Sequence, residues 1–303
     1  MVEILSSAAA LLKRRGMRFF YNIAGIGVKG ETPYELTLQE ESVPFLLKNF
    51  DKNDCDIDVT FTRLPNMCVP EEKGIWKANR LYCRQDGSDI VYYYPNRNDL
   101  PYARVLRGKG SLCIEYTDTS IPYINYSHNL IDLISLESLL LDYHGMIVHS
   151  SFIRWRDKGL IFSAPSGTGK STQASLWMKY EQVECLNGDR AGLRKVKGNW
   201  IAYGLPYAGS SGIYRNEAVP LGAIIVLKQS KENNLSRMKP SDAFRAIYPE
   251  TLIHQWDAAF VNTAADYITE LVTDIPVYLL SCRPDREAVS VLRDELVKEG
   301  IVE

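Results

Sequence analysis

The sequence predicts an α/β fold in which a larger domain of alternating strands and helices, residues 129–303, follows a smaller β-rich α+β domain, residues 1–128. Three observations carry this reading. Runs rich in Val, Ile, Thr and Tyr, bounded by turn formers, crowd the first part. From Leu130 onward, apolar strands alternate with amphipathic segments of helix length. A glycine-rich loop stands between one such strand and one such helix.

In the first domain, IDVTFTRL (Ile57 to Leu64), DIVYYYP (Asp89 to Pro95) and GSLCIEYTD (Gly110 to Asp118) read as strands. Turns at Gln85-Asp86-Gly87 and Pro95-Asn96-Arg97-Asn98 separate them, so an antiparallel meander is expected, with a small helix near Pro33 to Asn49. The opening MVEILSSAAALLKRR is apolar first and basic afterwards, the reverse of a secretory signal, and reads as a short amphipathic helix. The stretch Ile121 to Asn129 marks the domain boundary. Beyond it, Leu130 to Tyr143 places Leu133, Leu136, Leu140 and Tyr143 near helical spacing. Strands MIVHSSFIRW and GLIFSA come next, then the glycine-rich loop and a helix through Ala174, Leu176 and Trp177. A VECL strand, a hairpin at Lys197-Gly198-Asn199 and the strand Gly222 to Lys228 lead to helical segments over Ser241 to Val272. The strand Pro276 to Cys282 and a helix from Asp285 to Lys298 close the chain.

Bulk properties narrow the function classes. With 46% apolar residues, 24% charged and a net charge of -2, the chain has no basic excess for nucleic acid or an anionic membrane. No apolar run approaches the ~18 residues that span a bilayer. The six cysteines stand apart without CxxC or metal-ligand spacing, which argues against structural zinc and for a reducing, cytoplasmic setting.

Ala164 to Ser171 match the P-loop pattern, with alanine in place of the usual first glycine. The expected nucleotide-binding set is Ser166, Gly167, Thr168, Gly169, Lys170, Ser171 and Thr172. The glycines turn backbone N–H groups inward, and the helix N-terminus adds partial positive charge. Lys170 neutralises β- and γ-phosphate oxygens, while the Ser171 hydroxyl ligates Mg²⁺ brought in with ATP. Asp189, in CLNGDR after the return strand, is the candidate second metal ligand, the base for an acceptor hydroxyl, or both.

Other nucleotide machines lack their parts. After AIIVL the chain runs KQSK, not a guanine-reading element; no L-S-G-G-Q-like signature occurs; and VECLNGD is a poor match to an ATPase strand ending in paired acids. GIGVKG (Gly25 to Gly30) satisfies G-x-G-x-x-G but opens no helix, so a turn after the first strand is expected there.

In HGMIVHSS, APSGTGKST, LNGDR, YGLPYAGSSG, PLGAIIVLK and PVYLLSCRPDREAV, taken in order over residues 140–300, the sequence resembles HPr kinase/phosphorylase and its relatives with a phosphoenolpyruvate-carboxykinase-like P-loop fold. Within that group it resembles the kinases of lasso-peptide and other modified-peptide gene clusters. The resemblance implies a kinase moving the γ-phosphoryl of ATP, with Mg²⁺, to a serine-type hydroxyl of a protein or peptide. It also puts His144, of the His-Gly pair, near the active site. The family commonly carries two adjacent acids where this chain has Gly188 before a lone Asp189. One carboxylate then does both jobs, or another residue serves as base.

Further candidates remain two-sided. His149, followed by Ser150 and Ser151, reads as a tuner of Asp189, a contact to the acceptor, or a core histidine; His144 has the same alternatives. Arg215, after the Tyr203 to Gly212 loop, reads as a cation for transition-state charge or as surface. The first domain is the expected acceptor-recognition unit, and a homo-oligomer is compatible with the sequence. A small-molecule kinase and a non-catalytic ATP-binding module are the alternative functions.

Overall fold

The structure is a computed structural model that describes residues 16–47, 55–67, 69, 74–84, 87–207 and 209–302. The amphipathic helix expected over the first fifteen residues and the Gln85-Asp86 turn lie outside the described residues. The chain divides into two compact units, Met1–Leu139 with Gln255–Ala259, and Leu140–His254 with Phe260–Glu303.

The first unit is built on an eight-stranded sheet in the order β1-β2-β3-β8-β7-β6-β5-β4. Its strands are β1 (Arg18–Ile23), β2 (Ile26–Glu31), β3 (Ile57–Arg63), β4 (Ile75–Lys77), β5 (Arg80–Tyr82), β6 (Asp89–Tyr93), β7 (Pro101–Gly108) and β8 (Ser111–Tyr116). The expected antiparallel meander is present only from β4 to β8, because β3 pairs parallel with both β2 and β8. The long connection between β2 and β3 explains this: it carries the chain back to the end from which β2 began, as a parallel neighbour requires. Within it, a 3-10 helix over Glu40–Phe45 stands where a small helix was expected. The G-x-G-x-x-G segment is a β-hairpin, with Ile23 opposite Ile26 and positive φ at Ala24 and Gly25, so it opens no helix.

Three short helices follow: α1 (Ile121–Ile124), α2 (Ser127–Ile134) and α3 (Leu136–Asp142). The single helix expected from Leu130 to Tyr143 is broken at Ser135, whose φ of 57° ends α2. α2 bonds within the first unit. Arg107 Nη1 donates to the Ile134 carbonyl at 2.8 Å, and Arg80 pairs with Asp132.

The second unit holds β9 (Gly145–Trp155), β10 (Lys158–Ser163), α4 (Lys170–Glu181), β11 (Glu184–Asn187), β12 (Arg190–Val196), β13 (Asn199–Gly204), β14 (Ala218–Gln229), β15 (Asn234–Arg237), α5 (Pro240–Ile247), α6 (Ala258–Asp274), β16 (Val277–Cys282) and α7 (Arg286–Lys298). Pairings run from β9 through β12, β13 and β14 to β10 and back to β9, so these strands close a circuit. β10, β14 and β16 lie parallel, which brings their C-terminal ends to one edge.

Alternation along the strands sorts two cores. Leu160, Phe162 and Ile225 pack with Trp177 of α4 and Leu292 of α7, while Ile161 and Ile224 pack with Ile247 of α5 and Leu271 of α6. Helices therefore cover both faces. α7 begins where the sequence placed it, with the Asp285 carboxylate accepting from the Ala288 N–H at 3.1 Å. The helices expected over Ser241 to Val272 are interrupted: α5 ends at Ile247, and a 3-10 turn, Tyr248–Glu250, follows. Pro249 has no N–H to continue the helical ladder. Among the described residues, no helix is long and apolar enough to cross a membrane.

Candidate active site

The site begins where β10 runs out. Ser163 ends the strand, Ala164 to Gly169 form the loop, and α4 starts at Lys170. Gly167 and Gly169 hold φ of 80° and 114°, and a Cβ on either would meet nothing within 4 Å, so both positions border open space. Thr168 N–H donates to the Pro165 carbonyl at 3.2 Å, and Gln173 N–H to the Gly169 carbonyl at 2.9 Å. Ser166, Ser171 and Thr172 are exposed. Beside the loop lies a cleft of about 340 Å³ at the C-terminal ends of the parallel strands, lined by Gly167, Thr168, Thr172, Gln229 and Arg283 among others. Open α/β sheets bind ligands at such edges.

Lys170 is only 7% exposed, and its Nζ donates to the Ala164 carbonyl at 2.6 Å. Burial lowers its pKa from the ordinary lysine value, while the charges of Glu250 and Asp189 push in the opposite direction. Both carboxylates therefore stand within electrostatic reach of Lys170.

Asp189 is placed by a knot that sequence reasoning missed. The fully buried Asn187 accepts at Oδ1 from the N–H groups of Asp189 and Arg190, each at 2.9 Å. Its Nδ2 donates to the Leu205 and Tyr207 carbonyls, so one amide joins the LNGDR turn to the YGLPY loop. Ser150 N–H donates to the Asp189 carbonyl at 2.9 Å, tying the turn to β9. Gly209 lies against the aspartate, since a Cβ there would sit 2.6 Å from Asp189 Cβ. Arg190 Nε stands 3.3 Å from Asp189 Oδ2, and its guanidinium lies over the Tyr207 ring.

His149 sits on β9 opposite Arg190 of β12, and its Nδ1 is 3.1 Å from Glu250 Oε2. Glu250 also escaped the sequence reading, because nothing near Tyr248-Pro249-Glu250 signals a site. The turn reaches β9 through a bridge between Thr251 and Val148 and a 2.9 Å bond from Leu252 N–H to the Ile147 carbonyl.

The structure thus gathers the loop, Lys170, Asp189, His149 and Glu250. Among the described contacts, none joins the side chain of His144 or Arg215 to them. His144 precedes β9, stacks on Tyr267 with ring centroids 4.1 Å apart, and bonds Glu270 at 2.6 Å. Arg215 is half-exposed and pairs with Glu217 at 3.5 Å. Among the described residues, no cluster of three or more His, Cys, Asp or Glu forms a cage for a metal ion. Mg²⁺ ordinarily takes one or two carboxylates and completes its shell with phosphates and water, so it does not require such a cage.

No model of a known protein family matches the chain, and no curated protein matches it. Among solved structures, it is similar to the HPr(Ser) kinase/phosphatase from Coxiella burnetii, with 10% sequence identity and a TM-score of 0.32. That similarity covers 51% of this chain and 98% of the other.

Proposed function

We propose that the chain is an ATP-dependent kinase that transfers the γ-phosphoryl group to a serine-type hydroxyl of a protein or peptide. One observation carries the reading. A buried lysine at the start of a helix, behind an open glycine loop, feels the charge of an aspartate supplied by a separate turn. That is the pairing a phosphoryl transfer needs: a cation for the β- and γ-phosphates and a carboxylate for the cation or the nucleophile.

In this reading the N–H groups of Ser166 to Thr172 and the Lys170 ammonium hold the triphosphate, with the nucleoside directed toward the cleft at Gln229 and Arg283. Ser171 and Asp189 would hold Mg²⁺, which supplies charge neutralisation at the phosphates. Positioning and electrostatics then provide most of the rate. The peptide acceptor and its natural-product origin come from the sequence resemblance and are part of the proposal.

The test is incubation with ATP labelled at the γ-phosphate. Label in a serine-containing peptide or protein supports the proposal; label in a metabolite points to a small-molecule kinase. Tight nucleotide binding with no transfer would leave an ATP-binding module and sink the kinase reading.

A further inference from the structure

The proposed transfer needs a group that receives the proton of the acceptor hydroxyl, and this chain has a lone aspartate where a second acid would otherwise stand. We infer that His149, oriented by Glu250, is that proton acceptor; the inference rests on the phosphotransfer reading above. Glu250 Oε2 engages Nδ1 of the imidazole at 3.1 Å, and among the described residues Nε2 makes no hydrogen bond. A carboxylate on one ring nitrogen sets the tautomer: Nδ1 carries the hydrogen and Nε2 presents its lone pair.

Exposure divides the roles. The His149 side chain is 32% exposed and can be reached by an acceptor, whereas that of Glu250 is 10% exposed and shielded behind it. The pair is built by backbone, since the bridge from Thr251 to Val148 and the bond from Leu252 to Ile147 dock the turn on the strand that carries His149. The same strand holds the Asp189 carbonyl through Ser150 N–H, and Glu250 acts electrostatically on Lys170. The imidazole therefore belongs to the phosphate-loop site and not to a distant cluster.

The step balances as follows. The acceptor oxygen forms a bond to the γ-phosphorus while the bond from that phosphorus to the β,γ-bridging oxygen breaks. The electron pair stays on the released diphosphate, against Lys170, and the acceptor proton passes to His149 Nε2. Glu250 is a positioning residue that stabilises the imidazolium so formed. Asp189 is then free for the cation, which removes the need for a second adjacent acid.

Water can stand in for the unidentified acceptor. The full chain is given Mg²⁺ and γ-labelled ATP, phosphate release is followed, and affinity for a fluorescent ATP analogue and Tm are measured alongside. His149→Ala is expected to slow release by about 100-fold, with nucleotide affinity within about threefold and partial recovery on adding imidazole. Glu250→Gln is expected to slow it about tenfold at unchanged nucleotide affinity. Should His149→Ala melt early, His149→Gln is read in its place. Release within about threefold of wild type, or a loss in a well-folded, nucleotide-binding His149→Ala that imidazole does not relieve, overturns the inference. A different result marks failure of the underlying reading: wild type releasing no more phosphate than Lys170→Ala removes the phosphotransfer itself, and this inference with it.

Discussion

Glu250 Oε2 stands 3.1 Å from His149 Nδ1 although 101 residues separate them in the chain. The contact joins a proline-bearing turn to a central strand, and it brings a second carboxylate to a site where the sequence shows one.

Lys170 gives the first prediction. The residue is nearly buried, and the charges of Glu250 and Asp189 act on its ammonium. Replacing it with Met keeps the aliphatic stem and removes the charge, so affinity for a fluorescent ATP analogue should fall by about tenfold or more, since a hydrogen bond to a charged group is worth about 1.5–3 kcal/mol. Unchanged affinity would place the triphosphate elsewhere.

Gly209→Ala tests the loop over Asp189. The new Cβ would lie 2.6 Å from Asp189 Cβ and 2.7 Å from its Cγ, at a φ of 52° that favours glycine. The carboxylate must move, so phosphoryl transfer should drop by about tenfold or more while Tm falls only modestly, because an alanine at positive φ costs about 1 kcal/mol. Full activity in this variant would mean that the position of Asp189 does not matter.

A pH prediction comes from the cluster around His144. Hydrogen bonds from Lys195 and His144 hold the Glu270 carboxyl below its ordinary value of 4.5. A carboxylate lowered in the folded state stabilises above its unfolded pKa, and that contribution is lost as pH falls through the folded value. Glu270→Gln should therefore lower the urea midpoint at about pH 7, and the difference from wild type should vanish near about pH 3. The side chain is 36% exposed, which keeps the effect small. A gap that persists in acid would contradict the assignment.

Trp177 gives a packing prediction. It is fully buried between Trp155 and Phe162, and among the described residues its Nε1 has no hydrogen-bond partner. Trp177→Ala should cost about 3–5 kcal/mol in denaturant unfolding. Trp177→Phe should cost clearly less, because it retains a ring and removes a buried orphan donor. Equal losses would mean that ring packing contributes little.

Local chemistry is what the sequence by itself determined. The glycine-rich loop between β10 and α4, the Lys197-Gly198-Asn199 hairpin and the Asp285-capped helix follow from glycine, turn formers, capping and periodicity, which act over a few residues. Proximity across the chain was decided by tertiary structure alone. Parallel pairing of β3 depends on how a long connection returns, which no local pattern records. Glu250 reaches His149 because β9 offers backbone groups to the Thr251–Leu252 segment, and Asn187 acts as a knot because two backbone segments, Asp189–Arg190 and Leu205–Tyr207, meet at its amide. For the same reason His144, which shares the strand region of His149 in sequence, is held by Glu270 and Tyr267 instead. Hydrogen-bonding capacity is written in residue identity, whereas the partner that satisfies it is set by which segments the hydrophobic cores press together.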